Sequence, residues 1–248
     1  MSRVLAITGT STDVGKTVAT AAVAAVASGR GVTTAVCKPV QTGLATGEPG
    51  DLAEINRLAG ESITTLECAR YPEPLAPETA ALRAGSAFVE RSAITTAISD
   101  LRDRHDLTLV EGAGGILVRL AAELTLIDIA ADVDAAVLVV VHPGLGALNH
   151  AELTVDAIRR RGLRVSGLIL GSWPVQPDLA MRCNREDLPR LTGVPIVATI
   201  PAGVGRLGGT DLRRRAASWF DPRWLDAELT PAAPDHSQTV PENQGAFS

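Results

Sequence analysis

At 248 residues the chain has room for one large domain with a sizeable core. Its 46% apolar content includes only three Phe, three Trp and one Tyr, so that core must be built from Ala, Val, Leu and Ile, as in helix-covered parallel sheets. A formal charge of −5 and so few rings argue against a nucleic-acid binder, which needs a basic face and stacking platforms.

Cys37, Cys68 and Cys183 are scattered and form no CxxC pair, so neither a disulfide framework nor a zinc site is implied, and a reducing compartment suits them. The start runs straight into a strand pattern without a secretory signal. The longest apolar stretches, 18–27 and 135–141, fall short of the ~20 residues a spanning helix needs, so a cytoplasmic protein without a membrane partner is expected.

In chain order, residues 4–8 read as a strand that ends in a glycine-containing loop, and 16–28 as an Ala-rich helix stopped by Gly29 and Gly31. Residues 33–37 read as a second strand, ending at Lys38-Pro39, and 52–59 and 94–104 as helices. A third strand at 108–110 runs into Glu111-Gly112-Ala113-Gly114-Gly115, and a fourth at 135–141 is almost wholly β-branched or Ala. Residues 147–161 read as an amphipathic helix, 165–170 and 196–200 as strands, and 212–220 as a closing helix. Alternating strands and helices predict an α/β fold with a mainly parallel sheet, one domain over 1–225. Pro, Ala, Ser, Gln and Asn dominate from about Thr230, so 226–248 is expected to be a disordered tail.

Four motifs carry chemistry. In Gly9-Thr10-Ser11-Thr12-Asp13-Val14-Gly15-Lys16-Thr17, backbone amides and a helix amino end would cradle β- and γ-phosphates. Lys16 would reach the phosphate oxygens, and Thr17 would ligate Mg²⁺. The glycine spacing is one residue longer than the strict P-loop, with Thr10 where the consensus wants glycine. Lys38, in Lys38-Pro39-Val40-Gln41-Thr42-Gly43, should face the same crevice, since ligands bind at the carboxyl ends of strands. A surface lysine before a turn is the plain alternative; beside a P-loop, a second cation has an electrostatic use.

Glu111 ends the third strand and can hold Mg²⁺, as a Walker-B-like acid does, or be a solvated turn residue. Asp51 by itself reads as an ordinary helix cap. The fourth motif, 144–150, opens a helix with free amides; it suits a carboxylate or phosphate, and equally a plain cap. His142 and His150 have no partner in sequence and read as structural.

Together these motifs resemble dethiobiotin synthetase over residues 4–220, with Leu148-Asn149-His150 as the fourth match in order. The longer glycine spacing is a feature of that family. The resemblance implies a P-loop NTPase-type fold with a seven-stranded, mostly parallel sheet, and a homodimer with the substrate site at the subunit interface. It implies an ATP-dependent ligase that closes the ureido ring of dethiobiotin from 7,8-diaminononanoate and CO₂ or bicarbonate, through a carbamate and a carbamic–phosphoric anhydride.

By the same resemblance, Lys16, Lys38 and Thr12 would be catalytic, and Thr17, Asp51 and Glu111 would hold Mg²⁺. The nucleotide would meet Asp13, Val14, Gly15, Lys16, Thr17, Val18, Glu111, Gly112, Ala113 and Gly114. Thr12, Lys38, Thr42 and Pro77 would contact substrate, with 74–77 as a wall along its alkyl chain. Gly146, Ala147, Leu148 and Asn149 of the neighbouring subunit would bind its carboxylate. After the strand at 165–170, family members carry an Asn that reads adenine; here the position falls at Gly171. Gly171, Ser172, Pro201, Ala202 and Gly203 are expected to line the base site, and other triphosphates such as CTP to be accepted. Two rival P-loop readings, a cobyrinate-synthetase-like ATPase and a partition-type ATPase, lack support. There is no room for an amidotransferase domain, and the partition signature lysine is replaced by Ser11.

Overall fold

The computed structural model describes residues 2–60 and 63–231. Nine strands are described: β1 (Arg3–Gly9), β2 (Thr34–Thr42), β3 (Thr64–Tyr71), β4 (Leu107–Gly115), β5 (Arg119–Ala121), β6 (Leu124–Thr125), β7 (Ala136–Val141), β8 (Val165–Trp173) and β9 (Ile196–Pro201). The α-helices are α1 (Lys16–Gly29), α2 (Asp51–Ala59), α3 (Pro77–Arg83), α4 (Arg91–Arg102), α5 (Leu126–Asp132), α6 (Ala147–Arg160), α7 (Leu179–Thr192), α8 (Gly209–Ala216) and α9 (Pro222–Glu228).

Seven strands form one sheet in the order β3-β2-β4-β1-β7-β8-β9, all pairs parallel, and β5 and β6 make a small antiparallel ribbon. β7 explains the sheet's sequence. Val137, Val139 and Val141 enter the core under α3 to α7, while Leu138 and Val140 enter the core under α1, α2, α8 and α9. A strand covered on both faces has no polar side to show, hence its continuous apolar run. The same burial shapes α1. Its Ala and Val residues are almost all inaccessible, because it lies between the sheet and α2 and α8. Alanine lets those helices approach closely at little entropic cost.

Several expectations change. β2 continues to Thr42 rather than ending at Cys37, because β3 pairs with it as far as Thr42↔Tyr71. Pro39 is tolerated there because pairing with β4 stops at Cys37. The closing helix is two pieces, α8 and a 3₁₀ turn at Ala217–Trp219, after which Phe220 bridges to Ala198. The fold also continues past 225: α9 runs to Glu228, Leu229 is fully buried, and its carbonyl accepts from Arg30 Nε at 3.1 Å. Of the expected tail, residues 232–248 lie outside the described residues.

Candidate active site

The central strand β1 delivers the chain into the loop 10–15 at the carboxyl edge of the sheet, where the connections to its neighbours diverge to either side. The Thr10 amide donates to Val140 of β7 at 2.9 Å, and Val14 is buried, so the loop is anchored at both ends. Asp13 and Gly15 both take left-handed conformations (φ 55° and 95°), which turn successive amides toward one side. No side chain caps α1. Its first amides therefore face the cleft with the positive end of the helix dipole behind them, a site for phosphate oxygens.

Gly171 explains itself here. A Cβ on this residue would lie 1.9 Å from the Val14 carbonyl oxygen, and one on Gly15 would lie 2.8 Å from the Gly171 carbonyl. The end of β8 is the floor on which the loop rests, so glycine at 171 is dictated by that contact. Its neighbour Ser172 is the exposed residue there.

Four charged side chains meet below the loop. Lys38, only 3% exposed, contacts Asp51 Oδ2 at 2.6 Å and Glu111 Oε1 at 2.9 Å, and also donates to the Gly112 carbonyl at 3.2 Å. The Thr17 hydroxyl lies 3.2 Å from both Asp51 Oδ1 and Glu111 Oε1. The Thr20 hydroxyl reaches Glu111 Oε2 and the Lys16 carbonyl, and Glu111 is fully buried. Lys16 curls back to donate to the Ser11 carbonyl at 3.0 Å.

Burial pulls the Lys38 ammonium toward neutrality, but attraction and hydrogen bonds from Glu111 and Asp51 outweigh it, and its pKa is raised. For Lys16 burial wins, with repulsion from Lys38 adding to it, and the pKa is lowered. Burial pushes Asp51 up, but Lys38 and Thr17 hold its carboxyl below the ordinary value.

Thr12, Asp13, Gly15, Lys16, Thr17, Val18, Lys38, Thr42, Asp51, Ala113 and Gly114 line one cleft of about 450 Å³. Glu111 and Gly112 meet it through Lys38. Gly171 and Ser172 are outside that lining, near the end of β8, whose last residue reaches the expected Pro201-Ala202-Gly203 turn. Trp173 pairs with Pro201, and the Ala202 amide donates to the Trp173 carbonyl at 2.7 Å. The following turn approaches α1, where a Cβ on Gly205 would lie 3.3 Å from Val18.

Gly146, Ala147, Leu148 and Asn149 do not line this cleft. They open α6 at a left-handed Gly146 (φ 85°), in a loop pinned by Asn184 to the Pro143 and Gly144 carbonyls. His142 accepts from the Gly144 amide, a structural role. Pro77 is buried at the first turn of α3 rather than lining the cleft, while Pro74 packs beside Gly43.

Two residues escaped the sequence reading. Thr20 is signalled only by being a hydroxyl in an Ala/Val helix, one turn beyond Lys16 and Thr17. Gln41 accepts from the Asp51 amide at 3.0 Å and so fixes the start of α2.

A glycine loop between a buried parallel strand and an uncapped helix, with lysines and carboxylates at the neighbouring strand ends, defines a P-loop nucleotide-binding fold. The solved structures agree on the fold. The septum site-determining protein MinD from Pyrococcus horikoshii, complexed with Mg-ADP, matches with a TM-score of 0.59 at 14% identity, covering 92% of this chain and 93% of that one. The Pyrococcus furiosus cell division ATPase MinD matches with a TM-score of 0.57 at 18% identity, over 88% and 98%. A family profile described as an AAA domain covers residues 3–203.

Sequence relatives go further. The ATP-dependent dethiobiotin synthetase of Rhodococcus jostii is 54% identical, over 92% of this chain and 98% of its own length. That of Saccharopolyspora erythraea is 56% identical, over 81% and 88%. The chain belongs to the ATP-dependent dethiobiotin synthetase family.

Proposed function

We propose that this chain is a ligase that uses ATP to close the ureido ring of dethiobiotin from 7,8-diaminononanoate and CO₂. The observation that carries this reading is Lys38, an ammonium buried between two carboxylates at the floor of a phosphate loop. A hydrolase would need to bring only water to the γ-phosphate. A ligase must hold a second anion beside it, and a second buried lysine puts a cation within reach of that anion.

One substrate amine captures CO₂ as a carbamate, and a carbamate oxygen attacks the γ-phosphate, expelling ADP. The second amine then attacks the carbonyl carbon of the resulting mixed anhydride, forming the ring and releasing phosphate. In this scheme Lys16 and the loop amides hold the γ-phosphate, Lys38 faces the carbamate, and Thr12 and Thr42 orient the acceptor. Little covalent work falls to the protein, and positioning does most of it.

Among the described residues no group of three or more His, Cys, Asp or Glu could hold a metal ion. The Thr17 hydroxyl with the Asp51 and Glu111 carboxylates is a different set, all hard oxygens clustered at 3.2 Å, and it fits Mg²⁺. Lys38 offsets only one of those two carboxylate charges. When bound, Mg²⁺ would screen the charge on the triphosphate oxygens.

The exposed leucines 145 and 153 about α6, with Leu117 beyond β4, support a homodimer whose neighbouring subunit supplies the amides of 146–149 to the substrate carboxylate. Among the described residues no helix is long and apolar enough to cross a membrane, consistent with a cytoplasmic enzyme. The test is product formation: dethiobiotin, identified by mass, should appear only with diamine, bicarbonate, Mg²⁺ and nucleotide together. ADP formation that ignores the diamine would refute the reading. Light scattering should give twice the monomer mass, and a monomer would remove the shared site.

A further inference from the structure

Cys37 and Cys68, 31 residues apart in sequence, are adjacent in the fold. Cys37 on β2 sits opposite Leu66 of β3, and Cys68 lies two residues further along, on the same face of the sheet. Their sulfurs are 3.9 Å apart. Cys37 is buried, whereas Cys68 is half-buried on the outermost strand of the sheet. The reaction above uses neither thiol.

We propose that Cys37 and Cys68 form an oxidation site, a dithiol that a hydroperoxide converts to a disulfide, and that this modification shuts down the chemistry at Lys38. The first half stands on the thiol geometry alone; the second rests on the proposed function.

The two sulfurs have different roles. The hydrogen bond with Cys37 is the main influence that holds the Cys68 thiol below its ordinary pKa, against burial, while the same hydrogen bond and burial push Cys37 up. Cys68, nearer the thiolate and nearer solvent, is the attacking sulfur. It forms an S–O bond to the peroxide as the O–O bond breaks and an alcohol or water leaves, which oxidises Cys68 to the sulfenic acid. Cys37 sulfur then attacks Cys68 sulfur. The S–S bond forms, the S–O bond breaks, and water leaves with the thiol proton. Two thiols lose two electrons in all, and one peroxide is reduced.

Closing the bridge brings the sulfurs from contact to a bond of about 2.05 Å. Lys38 follows Cys37 on β2, opposite Glu67 of β3, and its ammonium is held at 2.6 and 2.9 Å from its carboxylate partners. A displacement of about 1 Å at such a site costs on the order of 10²-fold in rate.

The test uses the full chain with Cys183→Ser, which removes the exposed third thiol. After a few equivalents of hydrogen peroxide, peptide mass mapping should find the 37–68 disulfide. Turnover should fall about a hundredfold and return with dithiothreitol. Adding Cys68→Ser should leave turnover at the parent level before and after peroxide. Cys68 sulfinate without a disulfide would overturn the oxidation site, and a formed disulfide with unchanged turnover would overturn its effect on Lys38. Equal inactivation of the Cys68→Ser protein would also overturn that effect. If the reduced parent makes no dethiobiotin, the function reading fails, and the thiol mapping still decides the dithiol.

Discussion

The two ends of the proposed nucleotide site are built differently. At the phosphate end, Lys16, Lys38, Asp51 and Glu111 each have a hydrogen-bond or ionic partner, and the two carboxylates share Lys38. At the other end, where Ser172 and the turn 201–203 meet, the links are backbone ones, and Ser172 makes no side-chain hydrogen bond among the described residues. Pre-set charge can stabilise a developing anion without reorganisation. Backbone edges offer fixed donors and acceptors but no such charge. The comparison teaches that charge is pre-set where phosphate is proposed to bind and not where the base is proposed to lie, which makes loose base selection the outcome to expect.

The largest effect should come from Lys38→Ala. Turnover is expected to fall about 10³-fold, in the range for removing one group that stabilises transition-state charge. Stability should also drop by about 3–5 kcal/mol, because Glu111 is left buried without its cation. Urea melts beside steady-state kinetics separate the two, and turnover within tenfold of the parent would break the account of the phosphate end.

Gly171→Asn is the sharper probe of the contrast, since it alters the base end and should injure the phosphate end. Its Cβ collides with the Val14 carbonyl, so the loop must shift. Overpacking of this kind costs about 1–3 kcal/mol. The KM for ATP should rise more than kcat falls. A variant that binds ATP normally and merely gains adenine selectivity would show that 171 is a base reader after all.

pH separates the lysines. Lys38 is held above the ordinary 10.5, so its stabilisation is complete below 10.5 and is lost as pH rises through the raised value. Asp51, held below the ordinary 3.8, stabilises above 3.8, and that contribution is lost as pH falls through the lowered value. Lys16 has the opposite sign to Lys38. Its pKa is lowered, so its charged form costs stability at neutral pH, and bound phosphate relieves that cost. Urea melts at several pH values should therefore show Lys16→Met more stable than the parent without nucleotide and less responsive to it.

Thr20→Val should cost about tenfold in turnover, or about 1.4 kcal/mol, which lies inside the ~1–3 kcal/mol for leaving a buried acceptor unpaired, with Thr20→Ser close to parent. Smallest of all, Ser172→Ala should change KM for ATP by less than about twofold, and ATP, CTP and GTP should turn over within about tenfold of one another. A strong preference for ATP alone would contradict the undemanding base end.

The central sheet was legible because β1, β4, β7 and β8 are buried on both faces and so are written as apolar runs. β3 was missed because it is an edge strand, carrying Glu67 and Arg70 in a mutual ion pair. α7 was missed because only one flank is buried and Pro189 interrupts its pattern. In the site, Lys16 and Thr17 announce themselves by local spacing, and Asp51 does not, since it lies 13 positions beyond Lys38 and Gln41 sets its position. The Cys37–Cys68 contact was invisible for the same reason: strand pairing, not spacing, creates it.

The most direct test follows one oxygen atom. With ¹⁸O-bicarbonate in ordinary water, diamine and ATP, and rapid quenching, the released phosphate should carry one labelled oxygen, delivered by the carbamate. Phosphate without label, formed while ADP accumulates, would mean that water attacks the γ-phosphate, and the ligase reading would be contradicted.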